Sequence, residues 1–200
     1  MGDETGSSAG EASSPLDFMV LTDREIQKLL KSRQISIDPN PPLEAYDSTA
    51  VDLTLDPIIR KFRMNVPGLI IDPGAPGYKA AELIKQATDP ETITDLGWDL
   101  PRGTLVLAWT RERVHLDFKA KVAARIEGKS GLARIGLGVH VTAPTIHAGF
   151  PGRIQLELIN HGPLPIKLRP GMAICQLIVE TTKGTPSKAH KSQFAGQTAS

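Results

Sequence analysis

From Trp98 onward the chain is a succession of short β-prone segments, and this limits the possible folds more than any other feature. "GTLVLAWT", "VAARIEG", "GVHVTA", "GRIQLELINHG", "LPIKLRPG" and "MAICQLIVE" follow one another, separated by Gly, Pro or Asn. Each is rich in β-branched and aliphatic residues and too short for a stable helix of its own. "RPG" at 169–171 reads as a turn. Many short strands with few helical stretches predict a mainly β domain, a compact barrel or jelly roll. The 200 residues suffice for one such domain with a real core.

One stretch breaks the pattern. "EGKSGLARIGLGVHV", residues 127–141, inserts glycines, a lysine, a serine and an arginine between apolar runs. Glycines cost backbone entropy and so call for a reason. "GKS" invites comparison with a Walker A loop, but that motif wants glycine at position 123, which is Ala, and a βαβ setting, which is missing. The spacing offers a different reading. Ser130 and Arg134 stand four residues apart, so one helical turn puts them on a shared face. The free amides at the start of that turn, with Lys129 beside them, suit phosphate, and Gly131 lets a ligand come close. Local sequence taken alone favours a solvated turn, because charge clusters are usually surface.

Three other positions carry possible chemistry. Glu157 lies in "GRIQLELIN", where Ile154, Leu156 and Leu158 alternate with Gln155 and Glu157. On a solvated face such a carboxylate does nothing special; facing a pocket it becomes a general acid or base. The strand does not say which. "TAPTIHAGFPG" at 142–152 is a Pro/Gly-rich turn with His147 and Phe150, and a lone His is more often structural than catalytic. Gln176 sits in the apolar run "AICQLIVE", where an amide must find partners in the protein or in a ligand.

The N-terminal part supplies the helical signals. In "LTDREIQKLLKSRQI", Thr22 and Glu25 form a capping box, and Ile26, Leu29 and Leu30 give one apolar face. "DPNPP" at 38–42 ends this helix in a loop. A second short helix is expected at residues 79–86. Residues 1–18 are small, polar and acidic and read as a disordered tail, without a secretion signal. The polar stretch 187–200 reads as a flexible C-terminal segment.

Composition excludes several function classes. With 23 Lys+Arg against 22 Asp+Glu, bulk electrostatic binding to nucleic acid or membrane is disfavoured. No apolar run is long enough to span a bilayer. A single cysteine, Cys175, permits no intrachain disulfide, which fits a reducing, cytoplasmic setting. It also disfavours a zinc site, since the histidines at 115, 140, 147, 161 and 190 form no HExxH pattern.

Taken in order, these segments resemble the dCTP deaminase family of the dUTPase-like superfamily. The run from "EGKSGLARIGLGVHV" through "AICQLIVE" resembles the family's core, "TDREIQKLLKSRQISIDP" its N-terminal helix, "STAVDLTL" at 48–55 its first strand and the terminal "QFAGQ" its C-terminal lid. The resemblance covers about residues 19–197 and implies a homotrimer of distorted jelly-roll or β-barrel subunits with an N-terminal helix. Its domain would be 19–186 and its lid 187–200. Active sites would lie between subunits and act on dCTP, with Mg²⁺ carried on the triphosphate and no zinc. The products would be dUTP and ammonia, feeding dUMP and dTTP synthesis.

On this resemblance Glu157 falls on the catalytic glutamate, and Ser130 and Arg134 on the essential serine and arginine. Lys129, Ser130, Gly131, Leu132, Ala133 and Arg134 form the nucleotide-binding segment, with Lys129 where Arg is usual. Gln155 and Leu156 fall on positions reading base or sugar, and Gln176 on a binding glutamine. In the lid, Gln197 matches, while His190 and Gln193 replace a usual Tyr and Lys. His147 stands where many relatives carry Asp. Two alternatives follow: a bifunctional deaminase and dUTP pyrophosphatase releasing dUMP and pyrophosphate, and a non-catalytic trimeric nucleotide-binding module.

Zinc deaminases activate water with a metal held by a His/Cys set. One cysteine cannot supply that set, so the work falls to a carboxylate and fixed dipoles.

Overall fold

A computed structural model of the chain describes residues 19–63, 68 and 70–188. The expected N-terminal tail and the lid residues His190, Gln193 and Gln197 lie outside these. In chain order the elements are α1 (Asp23–Lys31), β1 (Ile35–Asp38), β2 (Tyr46–Asp47), β3 (Ala50–Thr54), β4 (Ile58–Phe62), α2 (Ala80–Ala87) and β5 (Thr88–Thr92). Then follow β6 (Trp98–Leu100), β7 (Leu105–Leu116), β8 (Val122–Gly128), α3 (Ser130–Arg134), β9 (Leu137–Gly138), β10 (Pro151–Asn160), β11 (Ile166–Leu168) and β12 (Ala173–Thr181).

The strands are antiparallel and fall into three sheets rather than one closed barrel. The largest runs β5-β4-β7-β10-β9, with β1 also on β7; a second runs β2-β3-β12-β8; β11 and β6 make a small third. Strand alternation explains how they pack. On β12, Cys175, Leu177 and Val179 point inward opposite Ile126, Ala124 and neighbours on β8, and Val51 and Leu53 on β3. On β10, Ile154, Leu156 and Leu158 point inward, and Leu156 and Leu158 pair with Ala108 and Val106 of β7. All belong to one core cluster, so the two larger sheets enclose a single apolar layer. Two carboxylates hold this contact together. Glu112 on β7 accepts from both N (2.8 Å) and Oγ1 (2.6 Å) of Thr54 on β3. Asp56, after β3, takes Arg153 of β10 at 2.7 Å and Ile58 N at 3.0 Å.

Helix α1 begins where the capping residues place it, with Thr22 Oγ1 accepting from Glu25 N at 3.5 Å. It ends earlier than the sequence suggests. Arg33 takes a left-handed conformation (φ 57°), Gln34 N returns to Leu29 O at 3.0 Å, and residues 35–38 become β1 on β7 instead of leading into a loop. This is a helix-terminating turn without glycine, which composition does not signal. Helix α2 lies one residue from its expected position. In "GVHVTA" the structure has strand only at Gly138; residues 139–143 leave the sheet. None of the helices among the described residues is long and apolar enough to cross a membrane.

Candidate active site

Glu157 occupies the middle of β10 with its side chain on the outer face of the largest sheet, opposite Leu107 in register. That face is not open water. Leu107 and Trp109, 5% and 3% exposed, form a second apolar cluster there with Ile58, Phe62 and Ile84 of α2. Gln155, opposite Trp109, shares the face. Both faces of β10 are therefore apolar in part, and Glu157 is half-buried. One of its oxygens, Oε2, is shielded from solvent and has no hydrogen-bond partner among the described residues. A shielded carboxylate oxygen without a hydrogen-bond partner costs free energy and leaves an acceptor for a donor on a ligand. His140 is its neighbour, with Nδ1 3.9 Å from Oε2. The chain order is consistent with this: Gly138 pairs with Ile159, and His140 lies two residues beyond, just past the end of β9.

The interrupted stretch forms α3, a single helical turn. A Cβ at Gly131 would meet no other atom within 4 Å, so the turn's outer surface is clear. Gly136 is constrained in the opposite sense. It has φ +92°, and a Cβ there would stand 2.3 Å from Gly162 N; a Cβ at Gly162 would stand 2.3 Å from Ile135 O. The end of α3 and the end of β10 thus touch backbone to backbone, and His161 N donates to Gly136 O at 2.8 Å. Asn160, fully buried, completes the junction. Its Nδ2 donates to Leu100 O and Leu164 O, both at 2.9 Å, and its Oδ1 accepts from Gly162 N at 2.9 Å. The glycines that looked wasteful in the sequence lock α3 to the strand that carries Glu157.

At the start of α3, Lys129 Nζ pairs with Asp52 on β3, and Gln176 Nε2 on β12 donates to the other carboxylate oxygen at 3.2 Å. Further along the same outer face Arg125 pairs with Glu127 and Glu180. Neither Ser130 nor Arg134 makes a side-chain hydrogen bond or ion pair to another described residue, and no ion pair joins Arg134 to Glu157. Both are exposed.

A family model described as dCTP deaminase-like matches residues 20–182. The chain belongs to the dCTP deaminase-like family. It is 39% identical over 175 residues to the dCTP deaminase of Rhodospirillum rubrum, covering 86% of this chain and 87% of that protein. Its fold resembles the crystal structure of 2'-deoxycytidine 5'-triphosphate deaminase from Agrobacterium tumefaciens, with a TM-score of 0.64 and 20% identity over 83% of this chain. The chain spans about half of that solved chain, 49%. The native EIAV dUTPase aligns over 52% of this chain and 83% of its own at a TM-score of 0.39 and 21% identity.

The site residues expected from the sequence fall into two groups. Lys129 and Gln176 converge on Asp52 beside α3, and Glu157 and Gln155 lie on the outer face of the largest sheet. Leu132 is half-buried and packs on the core, while Gly131 and Ala133 are exposed. Leu156 is 1% exposed and faces inward, so its backbone alone can meet a ligand. His147 lies exposed in a turn anchored on both sides, through Ile146 to Ala124 (2.7 and 3.0 Å) and through Gly149 N to Leu116 O (2.8 Å). Phe150 packs on the core. Sequence reasoning missed His140 and Asp52. His140 had a signal, since it stands in the same glycine-rich run; Asp52 had one only in its place within an apolar strand.

Proposed function

We propose that this chain is a dCTP deaminase that converts Mg²⁺-bound dCTP and water to dUTP and ammonia without zinc. The observation that carries the reading is Glu157: a mid-strand carboxylate with one shielded oxygen that has no hydrogen-bond partner among the described residues, in a chain of this family. Water attacks C4 of the cytosine ring while Glu157 takes its proton. Glu157 delivers that proton to ring N3, then carries the hydroxyl proton of the tetrahedral adduct to the amine; the C4–N bond breaks, ammonia leaves, and the C4 carbonyl remains beside a protonated N3. Proton transfers of this kind contribute about 10²–10⁴-fold. Ser130 and Arg134 hold water, amine and carboxylate in line, and His140 keeps Glu157 from turning away. Lys129, Gln176 and the amides of α3 take the triphosphate.

A homotrimer with sites between subunits is part of this reading. Its support is that one chain leaves Ser130 and Arg134 exposed and without side-chain partners among the described residues. Large apolar side chains also flank the same elements: Ile135, beside Arg134, and Val141, beside His140, are both 53% exposed. Such residues at a site's rim suit contact with a second copy.

Incubation with Mg-dCTP tests the reading directly. Stoichiometric ammonia and dUTP are expected. Pyrophosphate with dUMP would replace the reading by the bifunctional enzyme, and nucleotide binding with no ammonia would replace it by a binding module.

A further inference from the structure

We propose that Asp52 is a positioning residue for the triphosphate, fixing Lys129 and Gln176 so that their remaining donors form one preset anion-binding edge. The inference rests on the dCTP reading above and deepens it. Three segments distant in sequence supply the cluster: Asp52 on β3, Gln176 directly opposite it on β12, and Lys129 at the junction of β8 and α3. Each carboxylate oxygen has its own partner. Oδ1 accepts from Gln176 Nε2 at 3.2 Å, and Oδ2 pairs with Lys129 Nζ. The side chains of Lys129 and Asp52 are 29% and 20% exposed, so the pair lies partly out of water, where screening is weaker than at the surface.

What the cluster leaves unused is chemistry for an anion. An ammonium has three donors and Asp52 engages one; a carboxamide has two N–H donors and gives one here. Lysine is also the residue that most needs such help. Arginine brings a planar fork whose geometry is preset, whereas lysine is a point charge on a flexible stem. A stem ordered before the ligand arrives loses little freedom on binding. Because Lys129 directly precedes Ser130, anchoring it also anchors the start of α3. Asp52 therefore supplies from outside the order that arginine would have carried itself.

An acid beside a triphosphate also repels it, and the two effects have opposite signs. Calorimetric titration of Mg-dCTP and of dCMP into the full chain and its Asp52→Asn variant separates them. Positioning predicts that Asp52→Asn weakens Mg-dCTP about tenfold and dCMP less than about twofold, a dependence on phosphate number that a general loss of structure would not produce. In a Lys129→Ala background the same change should cost less than about threefold, since the coupled partner is gone. Unchanged or tighter Mg-dCTP binding by Asp52→Asn, with wild-type binding intact, overturns the assignment and leaves the dCTP reading standing; no binding by the wild type overturns both. If Asp52→Asn does not fold, Asp52→Glu decides, because it keeps the charge and moves the carboxylate by one methylene. Weaker Mg-dCTP binding there supports positioning, and unchanged affinity overturns it.

Discussion

Glu157→Gln is expected to reduce ammonia release from dCTP by at least about 10³-fold while dCTP affinity stays within about threefold. The substitution is nearly isosteric, and the amide cannot accept the proton that water must lose. It leaves Lys129, Gln176 and α3 untouched, so the triphosphate keeps its contacts. It also removes a charge from a place where Oε2 has no hydrogen-bond partner among the described residues, so thermal stability should hold or rise. Ammonia assays beside calorimetric dCTP titrations read both halves. Turnover within tenfold of wild type would remove Glu157 from the proton-transfer role and leave the family membership without a mechanism.

Gly136→Ala is expected to have the largest effect on stability. The new Cβ would meet Gly162 N at 2.3 Å, where the obstacle is backbone rather than a movable side chain, and φ +92° is strained for any L residue. Strain and displacement together are placed at about 4 kcal/mol or more, among the most damaging single changes. For a domain of this size that lowers Tm by about 8–16 °C. Because Gly136 ends the turn that holds Ser130 and Arg134, any folded fraction should also bind dCTP poorly. Differential scanning calorimetry checks the first effect, and Gly131→Ala, with open space around its new methyl, is the matched control expected to shift Tm by less than about 2 °C. Equal behaviour of the two variants would mean that the α3–β10 junction tolerates what its geometry says it cannot.

Much of the fold was legible because its strands obey simple alternation. Ile154, Leu156 and Leu158 announce an inward face on β10, and the capping residues Thr22 and Glu25 announce the start of α1. The period of two could not say whether Glu157 faces water, because that depends on what covers the other side of the sheet. Ile84 of α2 and the Leu107–Trp109 pair lie some seventy and fifty residues away in sequence and reveal themselves only in the folded chain. The same holds for Asp52, which reads locally as one polar residue in an outward strand position and becomes informative only when Gln176 and Lys129 are found on it. The missed end of α1 has another cause: Arg33 adopts a backbone state normally signalled by glycine. The glycine-rich interruption was the richest local clue, yet its two roles, an open surface at Gly131 and a backbone contact at Gly136, are indistinguishable as letters.

Cys175, the chain's single cysteine, is fully enclosed between β3 and β8, and burial, with Glu112 and Asp52 nearby, pushes its thiol far above the ordinary range. Thiolate is the species that alkylating reagents attack, so the closed protein offers them almost nothing. The rate at which such a reagent labels this sulfur therefore clocks the opening of the β2-β3-β12-β8 sheet, giving an intrinsic gauge of how tightly the strands that carry Asp52 and Gln176 stay shut.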